Sequence, residues 1–302
     1  MKKKLLAILT SFILLFAVGC SSNKEITVTD REGKEVTIPT KLERIISAVP
    51  SNTEVLVELG VADKLVGVDK YSEGIEGLDE KLPKMDMNNP DAEAIIALEP
   101  DIIIASGHNK VGSAEDPYKA IVDAGIPVVY IPSSDSIEGI YKDIEFMASL
   151  VDKEKKGEEI ISSMKEEIAK YEKLGKTVKE KKKVYFEIGP APDLFTLGNS
   201  TFINEMIEII GAENIFKDQE GWIPPTEESI IDANPDVILT TVNYVEDATG
   251  EILARDGWEE ITAIKNKDVY YIDSNSASRP SHHILKALEE MSKVVYPDVF
   301  NK

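Results

Sequence analysis

The feature that most constrains the fold of this 302-residue chain is a pattern that occurs twice. Residues 93–104 read Glu-Ala-Ile-Ile-Ala-Leu-Glu-Pro-Asp-Ile-Ile-Ile, and residues 228–239 read Glu-Ser-Ile-Ile-Asp-Ala-Asn-Pro-Asp-Val-Ile-Leu. Each copy predicts a short helix followed by a buried strand, because proline cannot continue a helix and the residues after it are apolar. The copies lie 135 residues apart, far more than the period of a solenoid repeat. The pattern therefore predicts two similar lobes.

Short apolar runs alternate with helical segments, which predicts an α/β fold with mostly parallel sheets. The runs are 44–49, 65–68, 101–105 and 127–131 in the first lobe, and 183–188, 236–240 and 268–272 in the second. Residues 152–174 carry apolar side chains at steps of three and four, which predicts one long helix joining the lobes and little closure between them. The expected units are a signal peptide (1–19), a lipidated tether and hairpin (20–41), an N-terminal lobe (42–151), a connecting helix (152–177) and a C-terminal lobe (178–302), with a ligand cleft between the lobes.

The N-terminus indicates export. Three lysines after Met1 precede an uncharged, mostly apolar stretch from Leu5 to Val18, which is too short to span a membrane and is typical of a signal peptide. Cys20, the only cysteine, follows Gly19 directly and resembles the lipidated cysteine of a bacterial lipobox. That resemblance implies acyl chains such as palmitate on Cys20, which would hold the chain at the outer face of the cell membrane. The alternative is an ordinary signal peptide with an incidental cysteine.

The net charge of the chain excludes some classes of binding partner. Removal of residues 1–19 leaves 31 basic and 55 acidic residues, a net charge of −24. Nucleic-acid binding depends on Lys and Arg contacts to phosphate. A protein this acidic is therefore not expected to bind nucleic acid. We expect a monomer.

Candidate ligand-binding residues follow the predicted strands, because ligands of open α/β sheets bind beyond the carboxyl ends of strands. Polar and aromatic groups in these loops suit recognition of a sizeable ligand, and an arginine there could pair with an anionic group. The candidates are Ser51, Asn52, Tyr71, His108, Phe195, Trp222, Tyr244 and Arg279.

Metal ligation by the chain itself is not the favoured interpretation. His108, His282 or His283 could each hold a metal, but adjacent histidines on a helix point about 100° apart and would not chelate together. Met85 and Met87 could line the cleft or ligate heme iron, with core filling as the alternative. No resident metal or cofactor is therefore predicted.

Signatures of catalysis are missing from the sequence: there is no Gly-x-Ser-x-Gly elbow, Walker loop, His-Glu-x-x-His or Gly-x-Gly-x-x-Gly motif. Together with the duplicated lobes, this favours binding over turnover, so the chain is not expected to be an enzyme. A cell-surface metalloenzyme or a bare metal-ion receptor built on the histidines remains the alternative from another class.

The repeated Glu93 and Glu228 each begin a predicted helix, where the helix dipole favours an acid. Their matched positions also suit two docking points for a two-fold symmetric partner.

Several motifs in order resemble the substrate-binding proteins of iron-complex and cobalamin ABC importers. They are Val-Pro-Ser-Asn-Thr-Glu (49–54), the two repeat segments, Phe-Ile-Asn-Glu-Met (202–206) and Ser-Arg-Pro (278–280). The resemblance implies two α/β lobes and docking of Glu93 and Glu228 into arginine pockets on the importer's transmembrane subunits, which a cytoplasmic ATPase drives. It also implies that the ligand is a metal chelate: a ferric siderophore or related iron complex is favoured, and cobalamin or heme is the alternative.

Overall fold

The computed structural model describes residues 24–110, 112 and 115–301. The predicted signal peptide and Cys20 lie outside the described residues. Within the described residues, no helix is both long enough and apolar enough to span a membrane.

The strands are β1 (Glu25–Thr29), β2 (Glu35–Pro39), β3 (Ile45–Ser47), β4 (Leu65–Asp69), β5 (Lys84–Met85), β6 (Ile102–Ser106), β7 (Val128–Ile131), β8 (Lys183–Glu187), β9 (Thr196–Leu197), β10 (Glu213–Asn214), β11 (Trp222–Ile223), β12 (Val237–Thr240) and β13 (Val269–Tyr271). The helices are α1 (Pro50–Glu58), α2 (Ala92–Ala97), α3 (Lys119–Asp123), α4 (Ile137–Leu150), α5 (Glu154–Gly175), α6 (Phe202–Ile209), α7 (Glu227–Ala233), α8 (Ala248–Leu253), α9 (Thr262–Asn266), α10 (Ser274–Ser278), α11 (Ile284–Val295) and α12 (Pro297–Phe300).

The two lobes share one sheet topology, which confirms the predicted fold class. The N-lobe sheet has the order β5-β4-β3-β6-β7 and the C-lobe sheet has the order β10-β8-β12-β13, with all neighbours parallel. The order β4-β3-β6-β7 therefore matches β10-β8-β12-β13, with the first strand of each lobe in the second place. The sequence did not predict β5, β9, β10 or β11, because a two-residue strand carries no periodic signal.

The repeated segments make the same contacts in both lobes. The Asp101 carboxylate accepts hydrogen bonds from the backbone N–H groups of Glu43 and Arg44 at 2.7 and 2.8 Å, beside the start of β3. The Asp236 carboxylate accepts one from the N–H of Lys183 at 2.8 Å, at the start of β8. Each Pro-Asp pair thus fixes the amino end of one strand to the amino end of the first strand of its lobe.

The residue before each repeated proline adopts a left-handed conformation, with φ of 45° at Glu99 and 47° at Asn234. This conformation ends the preceding helix and turns the chain into the strand. Asparagine tolerates it well, whereas glutamate does so at a cost. Arg44 in the N-lobe and Lys183 in the C-lobe donate to carbonyl groups at the ends of α2 and α7, so the capping is also duplicated.

One hydrophobic core runs through both lobes. It contains the faces of α1 and α4 from the N-lobe, α6 and α11 from the C-lobe, and the buried side of α5, including Ile160 and Met164. Two further clusters, around Ile103 and Ile238, cover the opposite faces of the two sheets. At 22 residues, α5 is about 33 Å long and packs against helices of both lobes. The lobes are therefore joined by packed apolar surface as well as by the chain.

The β1–β2 hairpin packs beside the β7 edge of the N-lobe. The Tyr130 N–H donates to the Asp30 carboxylate at 3.1 Å, and Arg31 Nε lies 2.8 Å from Asp143 Oδ1 on α4. Burial raises the pKa of Asp143, and hydrogen bonds from Ser134 and Arg31 oppose that rise. The hairpin thereby satisfies a buried carboxylate.

Candidate functional site

The carboxyl ends of the two parallel sheets face each other. Two sets of contacts between the lobes show this, and both use segments that follow the carboxyl ends of strands. In the first, Glu54 on α1 meets Arg279 and Ser281, between α10 and α11. In the second, Glu205 on α6 meets Ile137, the first residue of α4. These contacts join segments that follow strands in both lobes, as the predicted ligand residues also do along the chain.

Arg279 bridges the lobes in this structure. Its Nη1 donates to Glu54 Oε1 at 2.7 Å, and its Nη2 donates to the backbone carbonyl of Tyr71 at 2.9 Å. The Ser281 hydroxyl donates to the other oxygen of Glu54 at 2.5 Å. Glu54 is buried and both of its oxygens are engaged. Arg279 thus fixes the Tyr71 loop and holds a buried carboxylate.

The second interlobe contact is made by a backbone donor. The N–H of Ile137, at the first turn of α4, donates to Glu205 Oε2 at 2.7 Å. Burial raises the pKa of Glu205, while the Ile137 hydrogen bond opposes the rise. The positive end of the α4 dipole also favours the charged carboxylate.

Four predicted ligand residues are exposed aromatic side chains on loops or short strands that follow the carboxyl ends of strands. Tyr71 follows β4, Phe195 and Trp222 border the small β9–β11 sheet after β8, and Tyr244 follows β12. Their exposed fractions are 60% for Tyr71, 39% for Phe195, 43% for Trp222 and 71% for Tyr244. Exposed aromatic side chains offer flat apolar faces to a ligand.

The remaining predicted ligand residues differ in accessibility. His108 is exposed in the turn after β6. Ser51 and Asn52 are buried at the start of α1, and Asn52 Nδ2 lies 3.5 Å from the carbonyls of Ile104 and Ala105. Asn52 faces β6 rather than the open space between the lobes. A side chain's position after a strand did not reveal which way it points.

Each of the four arginines in the sequence is already engaged inside the described residues. Arg31 pairs with Asp143, and Arg44 donates to the carbonyls of Leu98 and Glu99. Arg255 pairs with Glu187 and Glu251, and Arg279 pairs with Glu54. No arginine is therefore available to pair with a ligand without giving up a contact within the protein.

A buried charge network lies at the carboxyl end of β8 and was not predicted from the sequence. Arg255 donates to both oxygens of Glu187, at 2.9 and 3.2 Å, and to both oxygens of Glu251, at 3.1 and 2.5 Å. Its guanidinium carbon lies 4.3 Å from the ring centroid of Trp258. Burial raises the pKa of Glu187, and the Arg255 hydrogen bonds oppose the rise. The i,i+4 spacing of Glu251 and Arg255 was the available signal, but Glu187 is remote in sequence.

The candidate histidines and methionines differ in their surroundings. Among the described residues, no group of three or more His, Cys, Asp or Glu side chains is placed to hold a metal ion. The rings of His282 and His283 stack with centroids 4.1 Å apart, and the buried Nδ1 of His282 has no hydrogen-bond partner. Met87 is fully buried, and Met85 packs against the same cluster. Met87 therefore fills the core.

Glu93 and Glu228 occupy equivalent positions. Each is the second residue of its helix, after an N-cap side chain from Asp91 or Thr226 that accepts a backbone hydrogen bond, and each is exposed. The repeat thus presents one exposed acid per lobe in the same local setting.

Two cavities adjoin the interlobe contacts. One of about 320 Å³ borders Glu54 and Arg279 and is lined by further charged groups, including Glu73, Glu76 and Asp273. A larger one, of about 560 Å³, lies between the end of α5 and α6, beside Glu205. Neither contains the four exposed aromatic side chains.

Comparisons with known proteins identify the family. The family model described as periplasmic binding protein matches residues 45–276. The chain is 36% identical to the uncharacterized ABC transporter substrate-binding lipoprotein YvrC of Bacillus subtilis over 92% of this chain and 87% of that protein. It is 26% identical to the vitamin B12-binding protein of Vibrio parahaemolyticus over 83% of this chain and 88% of that protein. A solved structure titled as a possible iron-binding, periplasmic solute-binding protein from Staphylococcus epidermidis has a TM-score of 0.76 and 33% identity, covering 85% of this chain and 99% of that one. The chain therefore belongs to the periplasmic binding protein family, the substrate-binding proteins of ABC importers.

Proposed function

We propose that this chain is a receptor, anchored by lipid on Cys20 at the outer face of the cell membrane, that captures a metal chelate between its lobes and delivers it to an ABC importer. The favoured ligand is a ferric siderophore without net negative charge, such as a ferric hydroxamate. Cobalamin, which is also uncharged in its cyano form, is the second candidate. The chain performs no turnover of its ligand.

The proposal that the ligand has no net negative charge rests on one observation, which is that all four arginines already have partners within the protein. Arg279, the arginine expected to pair with an anionic ligand, instead neutralises the buried carboxylate of Glu54. Recruiting Arg279 to a ligand would leave that carboxylate buried and unpaired, which typically costs about 3–5 kcal/mol. A chelate with several negative charges would also enter a protein of net charge −24 without a compensating arginine. An uncharged or cationic chelate avoids both costs.

The exposed aromatic side chains support a ligand with large apolar faces. Tyr71 on the N-lobe and Tyr244 and Trp222 on the C-lobe are exposed, so each lobe has an aromatic face available to such a ligand. Stacking on aromatic faces does not require charge on the ligand. The relative that is named as a vitamin B12-binding protein favours the cobalamin candidate, and the more similar structure titled as a possible iron-binding protein favours the iron chelate.

Docking to the importer is assigned to Glu93 and Glu228. Their equivalent cap positions and exposure support a matched pair of acidic contacts, one per lobe, for the transmembrane subunits. A partner with two-fold symmetry would meet such a pair with two copies of one basic surface.

The test is a binding panel with residues 24–302. A ferric hydroxamate, a ferric catecholate, ferric citrate, heme and cyanocobalamin are titrated while Trp222 fluorescence is followed, with native mass spectrometry to give the stoichiometry. Trp258 is fully buried, so a Trp222→Phe variant separates its signal from that of the cleft. We expect submicromolar binding of the hydroxamate or of cobalamin at one per chain.

Tight binding of the anionic catecholate would contradict the argument from the arginines. No binding across the panel, with a stoichiometric metal ion in the purified protein, would favour the metalloenzyme or metal-ion receptor. Anchoring is tested separately: Cys20→Ser in the full chain should move the protein from the membrane fraction to the medium.

A further inference from the structure

Glu54 and Glu205 make reciprocal contacts between the lobes. Glu54 lies on α1, the helix after the first sheet strand of the N-lobe, and reaches the segment that leads into α11. Glu205 lies on α6, the helix after the first sheet strand of the C-lobe, and reaches the first turn of α4. Because β3 matches β8 and β7 matches β13, each lobe uses the same helix to hold the same part of the other lobe.

We infer that these two glutamates are positioning residues that hold the lobes at one separation and so fix the spacing between Glu93 and Glu228. Both contacts cross from one lobe to the other, and among the described residues each carboxylate accepts its hydrogen bonds from the opposite lobe. The importance of that spacing for an importer rests on the proposed function, whereas the spacing itself does not.

The energetics of the two contacts suit this role. Arg279 donates to both Glu54 and the Tyr71 carbonyl. Removing Glu54 would leave the Arg279 guanidinium without a carboxylate partner at the interface and would loosen its hold on the Tyr71 carbonyl. Removing Glu205 would free the Ile137 N–H in the first turn of α4. A shifted arrangement of the lobes would leave the buried Glu54 without Arg279 and the half-buried Glu205 without its donor, and loss of a partner is costly for a buried charge.

The continuous core alone would permit sliding. Apolar side chains such as those of α5 and α6 contact one another without a preferred direction, so packing resists separation of the lobes more than rotation between them. Hydrogen bonds of 2.5–2.7 Å at Glu54 and Glu205 are directional and add the missing constraint. The Glu54 contact joins α1 to the segment before α11, and the Glu205 contact joins α6 to α4. A rotation of one lobe about either contact would therefore break the other.

The experiment measures the lobe spacing in ligand-free protein. Residues 24–302 contain no cysteine, because Cys20 is the only one in the chain. Spin labels on Glu93→Cys and Glu228→Cys therefore report the distance between the lobes by double electron–electron resonance. Glu54→Ala with Glu205→Ala should broaden the distance distribution and add a second population, while circular dichroism and the thermal midpoint establish that the variant is folded.

Two further variants distinguish positioning from general stability. When Glu205→Gln replaces Glu205→Ala in the double variant, the side chain keeps an oxygen that can accept the hydrogen bond from the Ile137 N–H. The distance distribution should then become narrow again. Glu58→Ala with Glu208→Ala removes acids from the same two helices; Glu58 pairs with Lys156 on α5 at the surface, so this control should stay narrow even if its thermal midpoint falls.

A distribution in the Glu54→Ala, Glu205→Ala variant that superposes on that of the unaltered protein would overturn the inference, as would equal broadening in the control. If the double variant does not fold, Glu205→Ala alone is measured, with the same criteria. Since neither ligand nor importer is present, failure here would leave the proposed function untouched.

Discussion

Protonation of His282 should destabilise the folded protein in mildly acidic solution. The side chain lies against the cavity between α5 and α11, beside Glu58 and Met164. Burial, together with the neighbouring His283, lowers the pKa of His282 from 6.5 to about 4, while Glu58 opposes the shift. The unfolded chain therefore binds a proton below about pH 6.5, and the folded protein does so only near pH 4. Stability from this residue is constant above pH 6.5 and falls as the pH is lowered.

The size of the effect follows from the two pKa values. At pH 5 the unfolded imidazole is almost fully protonated and the folded one is largely neutral, which corresponds to about 2 kcal/mol of lost stability. Below pH 4 the loss levels off at about 3 kcal/mol. His282→Leu removes the titrating group, so the variant should lack this loss. It also removes the unpartnered Nδ1.

The assay is urea unfolding of residues 24–302 at pH 7 and pH 5. Carboxylates titrate over part of this range in both proteins, so the informative quantity is the difference between the two pH-dependent changes. His108→Gln, at an exposed histidine, is the matched control and should behave as the unaltered protein does. If the unaltered protein and His282→Leu lose equal stability between pH 7 and pH 5, the buried neutral imidazole is the wrong explanation.

Three further predictions concern docking, the C-lobe network and the repeat. Glu93→Ala with Glu228→Ala should leave the affinity for the ligand unchanged and abolish uptake in cells; weaker binding by the purified variant would count against docking. Arg255→Met should destabilise the protein by about 3–5 kcal/mol in urea unfolding, because Glu187 would remain buried without its partner. Addition of Glu187→Gln should recover much of that loss, and no recovery would mean that Arg255 acts through packing alone. Glu99→Asn should stabilise by about 0.5–1 kcal/mol, since φ is 45° there; an unchanged denaturation midpoint would refute the strain.

The sequence predicted the fold well because the fold depends on local patterns. The Glu-x-Ile-Ile and Pro-Asp segments led to α2 with β6 and to α7 with β12. The apolar runs located β3, β4, β7, β8 and β13 within one or two residues, but they missed the two-residue strands β5 and β10. The apolar side chains at steps of three and four in residues 152–174 predicted α5, which begins at Glu154 and ends at Gly175. In each case one stretch of chain contains the whole signal.

The candidate site was predicted less completely because it depends on contacts between distant residues. Arg279 was expected to face the ligand, but its partner Glu54 lies 225 positions away and no local pattern pairs them. Asn52 follows a strand as predicted, yet its side chain faces β6. The four aromatic candidates are exposed, and their role in ligand binding stays a prediction from their position after strands.

The duplication clarifies which of these features belong to the framework and which to recognition. Asp101 and Asp236 hold strands in the same way in both lobes, and Glu54 and Glu205 hold the lobes to each other in a reciprocal way. The segments that carry the predicted ligand residues show no such correspondence: the β9–β11 sheet with Trp222 follows β8, whereas β3 leads directly into α1. A duplicated lobe can retain one way of contacting the other lobe while the segments after its strands change, because loops tolerate insertions better than the elements that they connect. We therefore expect substitutions in the unmatched segment between β8 and α6 and around β11 to change which ligand binds, and substitutions in the matched helices α1 and α6 to change the spacing between Glu93 and Glu228.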